Sequence, residues 1–256
     1  MSRVIALLLA VLTAVTALAF FASYLPSLPL GLWSIRESLG PATYDPVMAI
    51  LIGVLLLAAF FSAEATKLDR SKEVALVSSL VALGAAGRLL FAAAPNISPV
   101  DWLTLCTGMV FGPLTGFSVG AATMLVSNFW LGQGPWTIYQ MIGMGLLGVL
   151  GGVLHRWRSS IGAKAMGGIG FGWAFVYGTI TSVFWVLFFA SRVNWTGFAA
   201  YWVAGLPFYV LQGLGNAVLL YILGRRTLAI FERYRKRLIV TYEQITLIAE
   251  AEAHDV

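Results

Sequence analysis

Apolar residues in this chain fall in long blocks; they neither alternate nor recur on a single helical face. Near-continuous apolar stretches occupy residues 4–25, 46–63, 74–94, 102–127, 137–154, 168–190 and 199–223, separated by charged or Gly/Pro/Asn-containing segments. A helix needs roughly 20 apolar residues to cross a hydrocarbon core of about 30 Å. The pattern therefore predicts an all-α, polytopic transmembrane helix bundle. The fourth stretch is interrupted by Gly112-Pro113. Proline lacks a backbone donor and disfavours helix at the residue before it. Residues 102–127 read either as one kinked span or as two short helices, 102–111 and 114–127, joined by a turn.

The basic residues choose between these readings. With seven spans and the N-terminus inside, five Lys/Arg fall inside and ten outside, against the bias of cytoplasmic loops toward positive charge. Dividing the fourth stretch moves everything after it across the bilayer. Thirteen then lie inside, and only Arg36 and Arg192 lie outside. The expected topology is eight crossings in the cell (cytoplasmic) membrane, with both termini cytoplasmic. The two short halves then require shielding by neighbouring helices or a polar cavity. The first stretch, with Arg3 ahead of it, has the polarity of a signal peptide, but its apolar run exceeds the usual 7–15 residues and it reads as a retained helix.

Composition removes several function classes. Of 256 residues, 59% are hydrophobic and 11% charged, against about 25% charged in soluble domains, and the mean hydropathy is +0.87. No extramembrane catalytic domain fits. The net charge of +5 resides in loops and a tail between apolar stretches, so a nucleic-acid partner is not expected. Cys106 is the single cysteine, and His155 and His254 lie near a loop and in the tail, so no intramembrane metal site is expected. There is no Walker lysine motif, carboxylate pair, His-Glu-Xaa-Xaa-His or Gly-Xaa-Ser-Xaa-Gly. No catalytic residue and no cofactor of its own are expected, and the chain is read as not an enzyme. The rival reading is a membrane-embedded enzyme, for which only Arg88, Asp101 and Asp45 could converge near the outer face. A third class is an assembly or receptor subunit using the tail as a partner helix. The tail is basic first and acidic last, as in a cytoplasmic helix lying on an anionic leaflet.

In this topology the external segments are 26–45, 94–101, 128–137 and 191–198. Trp102, Trp130, Trp136, Trp195 and Trp202 lie near helix ends, as an interfacial aromatic belt requires. A belt does not account for Asn96, Asn128, Gln133 and Gln140, because amides at membrane depth are costly without partners. Rings and amides together suit a large, flat ligand with polar edges. Arg88, about two turns from the outer end of its stretch, is the one ionisable residue well inside a span. It serves a site, snorkels to the interface, or pairs with Asp101 or Asp45. Gln212 and Asn216 share a helix face and either line the same cavity or join two helices. Small residues at helical spacing, Ala75, Ser79, Ala82 and Ala86 among them, permit close helix packing.

The run from Arg88 to Gly152 resembles the substrate-specific S component of energy-coupling-factor (ECF) vitamin importers. The resemblance is carried by Pro95-Asn96-Ile97, by Phe111-Gly112-Pro113-Leu114-Thr115-Gly116-Phe117, and by Ser127-Asn128-Phe129 through Gly132-Gln133-Gly134-Pro135-Trp136-Thr137 to Gln140-Met141. It covers residues 74–223 and implies a six-helix core, hence the division at Gly112-Pro113. The organisation that follows is two N-terminal spans with an external loop (1–66), the core (67–224) and the tail (225–256). The resemblance further implies that a vitamin is captured from outside and released inward. A T component and two ATPase subunits would drive that release, with ATP hydrolysed by those partners. Ala75, Ser79, Ala82 and Ala86 on the first core helix match the small-residue face that meets the T component. The Gly-Gln-Gly-Pro-Trp-Thr segment is most similar to cobalamin-type S components, with riboflavin as the alternative. A corrinoid or its precursor would be met by a rim of Asn96, Asn128, Gln133, Gln140 and Asn194. Trp136 and Trp195 would stack against it, and Arg88 or Arg192 would meet its phosphate.

Overall fold

The computed structural model describes residues 2–23, 31–40, 70–94, 96–134, 136–189 and 195–254, with a few positions between 44 and 58. The chain is an all-helical bundle, and the described residues include no strand. Among the described residues the helices with full bounds are, in chain order, α1 (Ser2–Ala22), α2 (Leu32–Leu39), α3 (Arg70–Leu90), α4 (Val100–Phe111), α5 (Pro113–Leu131), α6 (Trp136–Val153), α7 (Ala163–Phe189) and α8 (Trp195–His254). A single 3₁₀ turn, Leu154–Trp157, follows α6. Pro113–Leu131, Trp136–Trp157, Ala163–Val186 and Trp195–Arg237 are long and apolar enough to cross a membrane. Their outer faces are consistent with that setting. Val176, Val183, Val203, Val210, Leu214 and Val218 are exposed, a burden in water that lipid removes.

The core forms around α4. At 12 residues it is too short to cross a membrane, and all of it except Trp102 and Phe111 is buried. It packs against α5, α6 and α8, so its backbone is shielded by protein as a short helix in a bilayer must be. Leu105, Cys106 and Met109 of α4 meet Met124 of α5, Met144 of α6 and Leu220 of α8 in one cluster. The other pairings among α3 to α8 are α5 with α6, α3 with α5, α3 with α4, α6 with α7, and α7 with α8.

The division between α4 and α5 falls at Gly112, with Pro113 opening α5. Gly112 has φ 101° and ψ 172°, a region essentially restricted to glycine and costing other residues about 1–3 kcal/mol. No atom would crowd a Cβ there, so the conformation alone requires glycine. Gly112→Ala is expected to lower stability by about that amount, measured as the thermal midpoint of the detergent-solubilised protein, without changing its oligomeric state. The turn folds α5 back on α4 and brings Gly108, Gly116 and Gly148 of α4, α5 and α6 together. A Cβ on Gly116 would stand 2.7 Å from the Gly108 Cα and from the Gly148 carbonyl oxygen.

The structure also departs from the expected boundaries. α5 extends to Leu131, four residues past the predicted 127, because Asn128 and Trp130 are tolerated in a helix and Gly132, with φ 105°, ends it. α3 stops at Leu90 where the apolar run continues to 94, so Arg88 stands in its last turn and not two turns inside. α2 lies within a segment expected to be loop. α8 is one continuous helix of 60 residues, passing through Pro207 and far beyond the apolar run. The second N-terminal stretch, 46–63, lies mostly outside the described residues; Tyr44 and Ile52, which are described, pack with Ile138 of α6.

Candidate functional site

Polar side chains gather at one end of the bundle, where residues of the six helices from α3 to α8 meet the loop that follows α3. They enclose a cavity of about 630 Å³. Phe91, Tyr177, Trp185, Tyr201, Phe208 and Tyr209 give it aromatic walls. Its polar groups include Arg88, Asn96, Asp101, Gln140, Thr181 and Gln212. Aromatic faces with a few convergent polar groups are the usual composition of a small-molecule pocket.

Arg88 is held from behind. One Nη donates to Ser127 Oγ and to Asn128 Oδ1, both at 2.6 Å. The Asn128 amide donates in turn to Gln140 Oε1 at 2.7 Å and Thr137 Oγ1 at 2.9 Å. Thr137 donates to Gln133 Oε1 at 2.9 Å, and Gln133 donates to the Leu125 carbonyl at 2.9 Å. These bonds tie the end of α3 to α5 and to the start of α6. Among the described residues, the hydrogen-bond partners of Arg88 are neutral and no carboxylate pairs with it directly. As a cation in the last turn of α3 it also faces that helix's free carbonyls.

Asp101 forms the second polar centre. It is 1% exposed, and Oδ1 accepts from Gln212 Nε2 at 3.2 Å and Asn216 Nδ2 at 3.0 Å. Asn216 also donates to the Gly170 carbonyl at 3.2 Å. One carboxylate thus joins α4 to α8, and one amide joins α8 to α7. The question left open for Gln212 and Asn216 is resolved as both roles: Gln212 lines the cavity and bonds across helices, whereas Asn216 only bonds across helices. Asp101 bonds these amides and not Arg88. Asp45 lies outside the described residues. Ser182 Oγ and Tyr209 Oη share a hydrogen bond of 2.7 Å that fixes one aromatic wall.

The expected site residues separate into four groups. Arg88, Asn96 and Gln140 line the cavity. Asn96 has φ 55°, a left-handed conformation that asparagine tolerates, and donates to the Phe208 carbonyl at 3.5 Å. Asn128 and Gln133 stand behind the cavity as supports. Trp136 and Trp195 are not in its wall: the Trp136 indole donates to the Gly132 carbonyl at 3.1 Å, and Trp195 is 86% exposed and edge-on to Phe198. Both suit an interfacial belt. Arg192 and Asn194 lie outside the described residues. The sequence reading did not single out Tyr177, Trp185, Tyr201 or Tyr209. The one signal of the tyrosines is a hydroxyl inside an apolar run, where it requires a partner, and Trp185 offers only its indole N–H.

Ala75, Ser79, Ala82 and Ala86 are all exposed on one side of α3. The face turned into the bundle carries Val77, Leu80, Val81 and Ala85. The small residues are thus on the outer surface and are not used for packing within the bundle. No curated protein and no solved structure matches the chain. The model of DUF6580, a family of unknown function, matches residues 68–237, the span from α3 to the basic part of α8 that builds the cavity, and the chain belongs to that family.

Proposed function

We propose that the chain is the membrane-embedded substrate-binding subunit of an ECF-type importer. It would capture a vitamin at the external end of the bundle and release it inward, with a T component and two ATPase subunits as partners. The observation that carries this reading is the cavity itself, with aromatic walls, a guanidinium braced by neutral groups and a buried carboxylate at the end of a helical bundle. The six helices from α3 to α8, the short buried α4 and the exposed small-residue face of α3 support it further. That face offers a second helix close backbone approach without large side chains. A membrane enzyme is less well supported, because Arg88 and Asp101 are engaged by neutral amides and hydroxyls.

Cavity size ranks the vitamins. A space of about 630 Å³ is mid-range for pockets that hold drug-sized ligands, about 300–1,000 Å³. Riboflavin belongs to that class, and its tricycle suits walls of tyrosine and tryptophan. A corrinoid, several times heavier, would have to project past the loop after α3. Cobalamin, favoured by the Gly132–Thr137 resemblance, therefore requires a wider opening than the flavin reading does.

The test is ligand identification on the full chain purified in detergent, by absorbance and mass spectrometry of the denatured supernatant, followed by titration of the emptied protein with riboflavin and with cyanocobalamin. A recovered flavin or corrinoid that rebinds supports the proposal and selects the vitamin. Recovery and binding of neither would remove the reason for naming a vitamin ligand. Whichever binds, Trp136→Ala is expected to leave its affinity within about twofold, a change below 1 kcal/mol, because the indole does not line the cavity.

A further inference from the structure

At the end of the bundle opposite the cavity, the segment after α6 docks onto α8 through basic side chains. Arg225 donates to the carbonyls of Arg158, Ser159 and Ile161 at 2.9, 3.3 and 3.3 Å. Arg158 pairs with Glu232 at 2.9 Å and donates to the His155 carbonyl at 2.7 Å. His155 Nδ1 lies 2.6 Å from the Met109 carbonyl. A carbonyl only accepts, so Nδ1 carries the proton and Nε2 can accept from Arg235, whose Nη1 is 3.4 Å away. The imidazole therefore orients the Arg235 guanidinium.

These contacts leave an opening of about 340 Å³ whose polar lining is His155, Arg156 and Arg235, against an apolar wall of Phe111, Pro113 and Val153. Arg156 has no hydrogen-bond or ion-pair partner among the described residues. Residues 155–158 and 225–237 contain eight Lys/Arg and one acid, Glu232. That acid is already taken by Arg158. Two guanidiniums without a carboxylate, one of them held in place, make a bidentate donor set for a tetrahedral oxyanion. Leu114, Leu146 and Val153 are exposed, so an apolar surface begins beside the opening.

We propose that this opening binds a phosphate group, supplied either by an anionic lipid headgroup or by a free phosphate. The site is independent of the ligand in the cavity and of the importer reading. The experiment uses the full chain in neutral detergent, with thermal stability read against inorganic phosphate in one arm and dioleoylphosphatidylglycerol in the other, and dioleoylphosphatidylcholine as the uncharged-headgroup control. Three proteins are compared: wild type, the Arg156→Gln/Arg235→Gln double variant, and Arg233→Gln, which removes an exposed charge outside the opening.

Saturable stabilisation of wild type by phosphate or phosphatidylglycerol, weakened at least about tenfold in the double variant and kept in Arg233→Gln, is the expected result. Response to the lipid alone assigns a headgroup site, and response to both assigns the phosphate group itself. Equal loss in Arg233→Gln would show diffuse charge attraction and overturn the site. So would stabilisation by phosphatidylcholine equal to that by phosphatidylglycerol, or no response to either anion. Native mass spectrometry of retained lipid gives a second readout that does not depend on the variants' own stability.

Discussion

Gly148→Leu is expected to yield no monodisperse protein, whereas Gly162→Leu is expected to purify as wild type does. Around Gly148 the carbonyl of Gly116 and the amide of Phe117 occupy the space that any side chain would need, while nothing lies within 4 Å of a Cβ on Gly162. Backbone atoms cannot rotate away as side chains do. A leucine at 148 would therefore have to push α5 and α6 apart along a surface that also includes α4. Overpacking a well-packed core costs about 1–3 kcal/mol when side chains absorb it; separating three helices costs more. Size-exclusion profiles of the two variants, expressed in parallel, provide the measurement. A Gly148→Leu protein with a wild-type profile and thermal midpoint would show that the three helices do not approach as described.

Arg88→Met is expected to weaken ligand binding roughly 10- to 150-fold in a protein that still folds. Methionine fills a similar volume, so the loss is of charge and of the two hydrogen bonds to Ser127 and Asn128. Hydrogen bonds to charged groups contribute about 1.5–3 kcal/mol each, equivalent to roughly 10- to 150-fold in affinity for a ligand group that the guanidinium meets. Asn128 keeps its amide bonds to Thr137 and Gln140. Relief of the desolvation cost of a buried guanidinium offsets part of the two lost hydrogen bonds, so the net loss of stability is about 1–3 kcal/mol. Asp101→Leu is predicted to reverse this balance. Its carboxylate is the acceptor for two buried amides from α8, so its removal destabilises the α4–α8 junction more than Arg88→Met destabilises the fold. Calorimetric titration with the vitamin that wild type binds, alongside thermal unfolding, separates the two effects. Wild-type affinity in Arg88→Met would place the ligand elsewhere.

The bundle was legible because membrane helices announce themselves by apolar length, and the break at Gly112-Pro113 because both proline chemistry and charge placement required it. Boundaries were harder to read, since hydropathy marks where lipid begins and not where helix ends. Thus α8 runs from Trp195 through charged sequence to His254, and α3 stops four residues before its apolar run does. In the site, Arg88, Asn96 and Gln140 stood out as polar groups at membrane depth. Tyr177, Tyr201 and Tyr209 did not, because an aromatic ring in an apolar run looks the same whether it faces lipid or a cavity. Trp136 and Trp195 drew attention through composition, but the direction of their side chains depends on helix phase, which block-like hydropathy does not encode.

The length of α8 has a mechanical consequence. Sixty residues of continuous helix span about 90 Å, roughly three times the thickness of a hydrocarbon core. Pro207, which removes one rung of the helix's hydrogen-bond ladder, lies beside Gly205, Phe208 and Tyr209 of the cavity wall. A helix weakened near one end and continuous beyond that point has its softest position beside the cavity. A bend of about 10° at Pro207 carries the far end through roughly 12 Å, given the 1.5 Å rise of each residue beyond it. The same bend would move the surface where Arg225, Glu232 and Arg235 fasten the loop after α6 by roughly 5–7 Å.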